Sequence, residues 1–185
     1  PIDLCTNKGI VVFNTPGANA NAVKELVLAG LMLSSRNVYA GIDFVNGLSH
    51  LEEMKDLEPF LEENKKSFKG TELAGSTLGV VGLGAIGSKV ASMGVALEMN
   101  VVGYDPALSV EAAWKLPSQV IPAESMEDIF ATSDFVSIHI PAIDSTQGII
   151  NGELFKRANN LSLLNFARHE VVNTSDVLEF IDKGN

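Results

Sequence analysis

The chain has 185 residues, of which 46% are hydrophobic and 19% charged, enough for one globular core but short for two. Thirteen Lys and Arg against 23 Asp and Glu give a formal net charge of -10, so the overall field repels nucleic acid and anionic lipid. One cysteine, Cys5, cannot form an intrachain disulfide, and no apolar run has membrane length. The three histidines are scattered, which argues against zinc. We expect a soluble, cytoplasmic chain with no metal site, nucleic-acid partner or membrane span.

The first 70 residues contain two predicted elements and one polar stretch. The β-branched run 9–13, closed by turn residues 14–17, predicts a strand. Residues 22–37 predict a long helix that is apolar almost all round, so it should pack between domains or subunits. An exposed helix of this kind would be adhesive, and we expect a homodimer or larger homo-oligomer. The Glu- and Lys-rich stretch 51–70, interrupted by Pro59, predicts a solvated helix and loop without chemistry.

Short apolar segments predict four further strands after residue 70. They cover residues 78–81, 101–104, 135–139 and 161–165. The spacing between them leaves room for helices, and strands that alternate with helices in this way form a parallel sheet with right-handed crossovers. The sequence therefore predicts an α/β fold with a doubly wound parallel sheet.

The helices between these strands have recognisable patterns. After the first strand, Ile86, Val90, Met93 and Leu97 recur at steps of four, three and four, the stripe of a helix that lies on a sheet. Ser125 is a predicted cap of a short helix and Thr174 of the last helix, which ends at Lys183 and Gly184. A helix that ends there normally leads to another parallel strand. We therefore expect the chain to be cut before the last strand or strands.

Residues 82–87 read Gly-Leu-Gly-Ala-Ile-Gly, the G-x-G-x-x-G pattern, directly after a strand and before a helix. Gly82 permits a tight turn, Gly84 lets the backbone approach a pyrophosphate, and Gly87 allows the helix to pack closely on the strand. The exposed amides here, with those of Ala85 and Ile86, and the helix dipole would bind the anion. Alone the motif is weak, because a glycine-rich turn is also an ordinary tight connection.

Asp105 ends the second of these strands, 18 positions (105 minus 87) after Gly87. A carboxylate is expected near this position to bind the adenosine ribose hydroxyls of a dinucleotide. It repels a 2′-phosphate, and Pro106 supplies no compensating guanidinium, so the residues predict NAD rather than NADP. Two alternatives stay open at this point: Asp105 as a plain turn residue before proline, and a methyltransferase with a similar glycine loop.

Several further motifs, in the correct order, resemble those of the D-isomer-specific 2-hydroxyacid dehydrogenases. The motifs are Gly-Ile-Val-Val-Phe-Asn-Thr-Pro-Gly-Ala-Asn at 9–19, Glu-Leu-Ala-Gly-Ser-Thr-Leu-Gly at 72–79, Ser-Ile-His-Ile-Pro at 137–141, Thr-Gln-Gly-Ile-Ile-Asn at 146–151, Leu-Asn-Phe-Ala-Arg at 164–168 and Val-Val-Asn at 171–173. The resemblance covers nearly the whole chain, and methyltransferases show no such series. It implies a Rossmann NAD-binding domain of an oxidoreductase. The implied reaction is oxidation of a D-2-hydroxy acid, expected to be 3-phosphoglycerate, to 3-phosphohydroxypyruvate in serine biosynthesis.

The resemblance also implies roles for individual residues. Arg168 matches the catalytic arginine that binds the substrate carboxylate, a task suited to the guanidinium fork. The further cofactor contacts that it implies are Ile140, Pro141, Thr146, Phe166, Ala167 and Arg168 itself. His139 is expected to be a satisfied structural histidine, and His169 a bystander without a carboxylate partner.

The resemblance divides the chain at residue 70. Residues 1–70 are assigned to the end of a substrate domain and an interdomain or dimer helix, and residues 71–185 to a C-terminally incomplete Rossmann domain. The catalytic histidine and its acidic partner are then expected beyond Asn185, and the fragment alone is expected to be inactive. His169, Asn173 and Lys24 depart from the family pattern. The alternative function is an NAD-sensing, corepressor-like binding module of the same fold, against which the acidic charge weighs.

Overall fold

Five parallel strands form one sheet in the part of the chain that the structure, a computed structural model, describes, residues 2–50 and 54–182. The strands are β1 (Thr77–Val81), β2 (Asn100–Tyr104), β3 (Ile121–Pro122), β4 (Phe135–Ile138) and β5 (Ser162–Asn165). Their order across the sheet is β3-β2-β1-β4-β5, and every neighbouring pair is parallel. The predicted doubly wound parallel sheet is therefore confirmed, with the two-residue β3 as a strand that the sequence pattern did not reveal.

Helices precede the sheet and connect its strands. They are α1 (Ile2–Asn7), α2 (Ala20–Ser35), α3 (Val38–Asn46), α4 (Met54–Asn64), α5 (Gly87–Ala96), α6 (Val110–Ala113), α7 (Met126–Thr132), α8 (Gly152–Phe155) and α9 (Thr174–Asp182). No helix within the described residues is both long and apolar enough to cross a bilayer.

Two hydrophobic clusters cover the two faces of the sheet. Successive residues of a strand point to opposite faces, and β1 accordingly sends Leu78 and Val80 into one cluster and Val81 into the other. The first cluster includes Val90, from the predicted stripe on α5. The second is built around Phe130 of α7. These layers bury β1, the central strand, on both faces.

Helix α2 confirms the long helix predicted near residues 22–37. Its residues Val27 and Leu31 are fully buried in the first cluster, and it contacts α5 and β5. At Gly30 an added Cβ would lie 2.8 Å from Leu164 Cδ2, so the helix axis lies close to the sheet. Leu26 and Leu33 are exposed, so the apolar surface extends beyond the face that packs here.

The strand predicted at residues 9–13 is wrong. This segment has no secondary structure beyond the turn at Gly9, and Phe13 is 88% exposed. A strand is stabilised by backbone hydrogen bonds to a neighbouring strand, and no strand lies beside this segment in the described part of the chain. The β-branched sequence therefore stays without a partner.

The helix caps give one confirmation and one correction. Ser125 Oγ accepts the Asp128 N–H at 3.1 Å, as predicted. Thr174 is not a cap but the first residue of α9, and Asn173 Oδ1 accepts the Asp176 N–H at 3.4 Å instead. Either side chain type can cap a helix, so only the backbone geometry distinguishes them. The predicted end at Lys183 and Gly184 lies outside the described residues.

The polar stretch 51–70 is helical from Met54 to Phe68. Helix α4 contains Pro59, and a 3₁₀ turn, Lys65–Phe68, follows it. Residues 51–53 lie outside the described part of the chain. The predicted helix and loop are therefore confirmed from residue 54 onward, with a 3₁₀ turn between them.

His139, directly after β4, is largely buried. Its Nε2 lies 2.8 Å from Ser137 Oγ, whereas its buried Nδ1 has no hydrogen-bond partner in the described part of the chain. The expectation of a fully satisfied histidine is therefore wrong for Nδ1. Burial lowers the pKa of His139 from its ordinary 6.5 to about 4, because desolvation disfavours the charged imidazolium.

This pKa predicts a stability that depends on pH. Between pH 6.5 and pH 4 the unfolded chain binds a proton at His139 that the folded chain does not bind, so the free energy of unfolding falls as the pH falls. Over this window we expect the wild type to lose about 3 kcal/mol more than His139→Gln, which has no titrating ring. Urea unfolding of both proteins at a series of pH values measures the difference, and parallel curves would contradict it.

Candidate functional site

The candidate site lies at the carboxyl edge of the sheet. Because β1, β2, β4 and β5 are parallel, the loops that follow them leave the same edge. The strand order places β1 in the middle, with β2 on one side and β4 on the other. This is a topological switch point, where loops diverge and leave a crevice for a ligand.

The glycine loop, residues 82–87, turns sharply at the end of β1. Gly82 has φ of 90°, a conformation that favours glycine, and its N–H donates to the Tyr104 carbonyl oxygen at 2.8 Å. An added Cβ at Gly82 would lie 2.8 Å from the His139 carbonyl oxygen. At Gly87 an added Cβ would lie 1.8 Å from the Gly82 carbonyl oxygen. Both positions therefore require glycine for backbone packing.

The middle of this loop is open. An added Cβ at Gly84 meets no atom within 4 Å. The N–H groups of Gly84, Ala85 and Ile86 donate to no acceptor within residues 2–50 and 54–182, while the Ser88 N–H donates back to the Gly84 carbonyl oxygen at 3.0 Å. The loop thus presents free amides at the start of α5, an arrangement that can hold an anion.

Asp105 directly follows β2, and each of its carboxylate oxygens accepts a hydrogen bond from a backbone N–H group. Oδ2 accepts the Leu83 N–H at 2.8 Å and Oδ1 accepts the Ala107 N–H at 2.9 Å. The bond to Leu83 joins the end of β2 to the glycine loop, a role that sequence reasoning missed. Because an ionised carboxylate offers about four acceptor positions, it can still bind a ligand hydroxyl. Asp105 lines a cleft of about 490 Å³ with Pro106, and the loops on either side of α6 and the loop after β3 supply most of its other walls.

A second cleft, of about 580 Å³, lies where the loops after β4 and β5 meet. Its walls contain six of the predicted site residues, namely Ile86, Ile140, Pro141, Phe166, Ala167 and Arg168. His139, Ala142 and Glu170 complete it. The structure therefore brings one end of the glycine loop together with the predicted substrate arginine.

The turn that carries Arg168 is held by Asn165. Asn165 Oδ1 accepts the Ala167 N–H at 3.0 Å, and Asn165 Nδ2 donates to the Arg168 carbonyl oxygen at 3.0 Å. Arg168 itself is exposed, and its Nη1 donates to the Ala167 carbonyl oxygen at 3.0 Å. No carboxylate in the described residues forms an ion pair with Arg168. Its guanidinium is therefore available to an anionic ligand.

Thr146 lies in the loop after β4 but not in the walls of the second cleft. Its Oγ1 donates to the Pro141 carbonyl oxygen at 2.6 Å and accepts the Ile143 N–H at 2.9 Å. These bonds close the loop that carries Ile140 and Pro141. Its predicted contact with a cofactor stays a prediction.

The expectation that His169 has no carboxylate partner is wrong. Its Nδ1 lies 3.2 Å from Glu170 Oε2, because the 3₁₀ turn His169–Val171 brings the neighbouring side chains together. Its side chain is 88% exposed, and such exposed pairs contribute little to stability. Elsewhere in the described part of the chain no group of three or more His, Cys, Asp and Glu could hold a metal ion.

Comparison with known sequences identifies one family. Residues 34–185 match the family model described as D-isomer specific 2-hydroxyacid dehydrogenase, NAD binding domain. The chain is 34% identical over 184 residues to D-3-phosphoglycerate dehydrogenase of Rattus norvegicus, covering 99% of this chain and 32% of that protein. It is 34% identical over 180 residues to hydroxypyruvate reductase of Thermotoga maritima, covering 96% and 52% respectively. The chain thus spans about a third to a half of the length of these relatives.

Solved structures show the same fold. A D-lactate dehydrogenase from Aquifex aeolicus, complexed with NAD and lactic acid, superposes with a TM-score of 0.78 at 27% identity, covering 99% of this chain and 50% of that one. A D-lactate dehydrogenase from Treponema pallidum gives a TM-score of 0.78 at 27% identity, covering 100% and 51%. The family match extends over more than three quarters of the chain and includes the whole sheet. The chain therefore belongs to the D-isomer-specific 2-hydroxyacid dehydrogenases and carries their NAD-binding domain.

Proposed function

We propose that this chain supplies the NAD-binding part of an enzyme that oxidises a D-2-hydroxy acid at C2. The observation that carries the proposal is the position of three features at one sheet edge. They are the open backbone at Gly84, the carboxylate of Asp105 and the cleft that contains Arg168. A dinucleotide needs a ribose acceptor, an anion site and a reaction site in that order along the edge, and Asp105, Gly84 and the cleft of Arg168 meet the three needs in this order.

The glycine loop fits the pyrophosphate of NAD. The space at Gly84 accepts atoms that a side chain would displace, and the free N–H groups of Gly84, Ala85 and Ile86 can donate to phosphate oxygens. Asp105 would accept hydrogen bonds from the adenosine ribose while its charge repels a 2′-phosphate. The same carboxylate already holds the loop through Leu83, so the ribose acceptor and the phosphate site are coupled.

The second cleft would hold the nicotinamide end and the substrate. Bound NAD supplies the acceptor for the hydride that leaves C2. Arg168 would bind the substrate carboxylate through both arms of its guanidinium and thereby orient C2 toward the cofactor. Asn165 would act on this step as a positioning residue, because it bonds the backbone of the turn before Arg168. The apolar walls at Ile140 and Pro141 would exclude water from the reacting centre.

We propose 3-phosphoglycerate as the substrate and 3-phosphohydroxypyruvate as the product, which places the enzyme in serine biosynthesis. Support comes from the D-3-phosphoglycerate dehydrogenases that match 99% of this chain at 31% to 34% identity. The structural neighbours include a D-lactate dehydrogenase. 3-Phosphoglycerate and D-lactate both carry a carboxylate beside a hydroxylated C2. Arg168 would bind that carboxylate in either acid.

We also propose the division of the chain at residue 70. All strands of the described sheet lie after this point, whereas residues 10–13 are exposed and outside any helix or strand. This supports assignment of residues 1–70 to an adjoining substrate domain and connecting helices. Helix α2 packs on α5 and β5, so it would join the two parts.

A homodimer or larger homo-oligomer in the cytoplasm completes the proposal. Helices α2 and α3 expose a group of large apolar side chains, Leu26, Leu33, Tyr39, Ile42 and Val45. Large apolar side chains exposed together on neighbouring helices are typical of protein interfaces. The partner expected on it is a second copy of the same protein.

The reaction is tested by NADH formation with the full-length protein that contains this chain. We expect oxidation of 3-phosphoglycerate to be faster than that of D-lactate or D-glycerate. Arg168→Met should abolish oxidation, and Arg168→Lys should retain part of it because the charge stays but the fork is lost. A preference for D-lactate would overturn the substrate, and NADH binding without oxidation of any 2-hydroxy acid would overturn the reaction but not the cofactor.

The cofactor preference is tested at Asp105. We expect the chain to bind NADH more tightly than NADPH, and Asp105→Ala to reduce this ratio of affinities by about tenfold. Loss of the bond to Leu83 weakens both cofactors alike, so the ratio isolates recognition of the ribose. Asp134→Ala is the matched control, because its carboxylate accepts the Thr77 N–H at the opposite end of β1. Calorimetry measures the affinities, and an unchanged ratio in Asp105→Ala would refute the assignment.

The pyrophosphate site is tested at Gly84. Gly84→Val should abolish NADH binding while the unfolding temperature stays close to that of the wild type, because an added Cβ there meets no protein atom within 4 Å. Gly87→Ala should instead destabilise the fold, since its Cβ would overlap the Gly82 carbonyl oxygen. Fluorescence titration and thermal unfolding separate the two effects. NADH binding by folded Gly84→Val would contradict the site.

A further inference from the structure

A third cleft, of about 370 Å³, lies between the glycine loop and α6. Its walls are Leu83, Gly84, Ala85, Ser88, Ser109, Glu111, Ala112 and Lys115. The cleft therefore contains Gly84 and Ala85, two of the residues with free N–H groups. Among its lining residues only Lys115 carries a positive charge.

The glycine loop brings no cation of its own to an anionic ligand. Residues 82–88 carry only glycine, aliphatic and serine side chains. The α5 dipole contributes the equivalent of about half a positive charge at its N-terminus, against about two negative charges on a pyrophosphate. The carboxylate of Asp105 is bound to this loop and opposes the ligand charge. A cation beside the loop would therefore stabilise the bound dinucleotide.

Lys115 forms an exposed ion pair with Glu111, which a stronger anion can replace. Its Nζ lies 2.7 Å from Glu111 Oε1, one helical turn earlier, and the two side chains are 71% and 82% exposed. Exposed pairs of this kind contribute at most about 1 kcal/mol. The lysine side chain has a flexible four-carbon stem and a compact charge, so it can leave Glu111 for a stronger anion in the same cleft.

We propose that Lys115 is a further cofactor-binding residue, which leaves Glu111 and contacts the pyrophosphate of the dinucleotide held at the glycine loop. This inference rests on the proposed NAD site at Gly84. Glu111 acts as a competitor for the same ammonium group, so the pair adjusts the affinity for the cofactor. The sequence pattern did not single out either residue, because each reads as half of a solvated helical ion pair.

Fluorescence titration with NADH and NADPH tests the role of Lys115. Lys115→Met should weaken binding of both cofactors by the same factor, about three- to tenfold, and reduce the dependence of affinity on salt. Glu111→Gln should tighten binding of both, because it frees the ammonium group. Lys156→Met is the matched control: its Nζ bonds Glu153 at 2.5 Å, with side chains 70% and 80% exposed, at the end of α8 and outside this cleft.

Each contrary result of these titrations overturns a specific assignment. Wild-type affinity in Lys115→Met overturns the inference, and so does an equal loss in Lys156→Met, which indicates a general charge effect. A loss confined to NADPH assigns Lys115 to a 2′-phosphate and overturns the pyrophosphate contact. The proposed site fails separately if Gly84→Val retains NADH binding, since that result removes the pyrophosphate from the loop whatever Lys115 does.

Discussion

The close contact between Gly87 and the Gly82 carbonyl oxygen is the constraint on which the site depends. A Cβ added at Gly87 would lie 1.8 Å from this oxygen. The first turn of α5 can therefore approach the end of β1 only because residue 87 has no side chain. This contact seats α5 on the sheet, where Val90 enters the core. The residues between Gly82 and Gly87 leave the Gly84 and Ala85 amides free of acceptors in the described part of the chain. The contact that packs the helix on the sheet thus also bounds the open turn that is proposed as the anion site.

Groups of opposite charge surround the open glycine loop. Asp105 places a carboxylate against the Leu83 N–H, where it stabilises the loop and would also select a ribose hydroxyl over a phosphate. The same charge would disfavour the pyrophosphate that is proposed to bind at the loop. The dipole of α5 and the ammonium group of Lys115 oppose this effect. Cofactor affinity in this site is therefore a balance between selectivity at the ribose and attraction at the phosphates.

The reaction end of the site depends on backbone turns rather than on a buried charge network. Asn165 ties the turn that presents Arg168, and Thr146 ties the loop that presents Pro141. His139 beside them is uncharged near neutral pH because burial lowers its pKa to about 4. Among the lining residues of this cleft Arg168 is thus the cation and Glu170 the carboxylate, and Arg168 is the group suited to a carboxylate substrate.

The sequence by itself predicts four of the five strands, the glycine loop and the family. Periodicity is a local property of the sequence. It therefore predicts the stripe from Ile86 to Leu97 and the buried runs of β1 and β4 without knowledge of the residues that pack against them. Motif order along the chain indicated a dehydrogenase. The prediction of a strand at residues 9–13 is wrong for the same reason. Its sequence pattern is local, whereas a strand needs a neighbouring strand to bind its backbone groups.

Only the tertiary structure decided which groups meet. The bond from Leu83 to Asp105 joins residues 22 positions apart, and no spacing rule indicates that the carboxylate is already shared with the loop. The cleft between Gly84 and Lys115 forms because α6 faces the glycine loop across it. The buried Nδ1 of His139, which has no partner among the described residues, likewise follows from the packing around β4. Hydrogen bonds and burial depend on distances in space, which residue types and spacing do not contain.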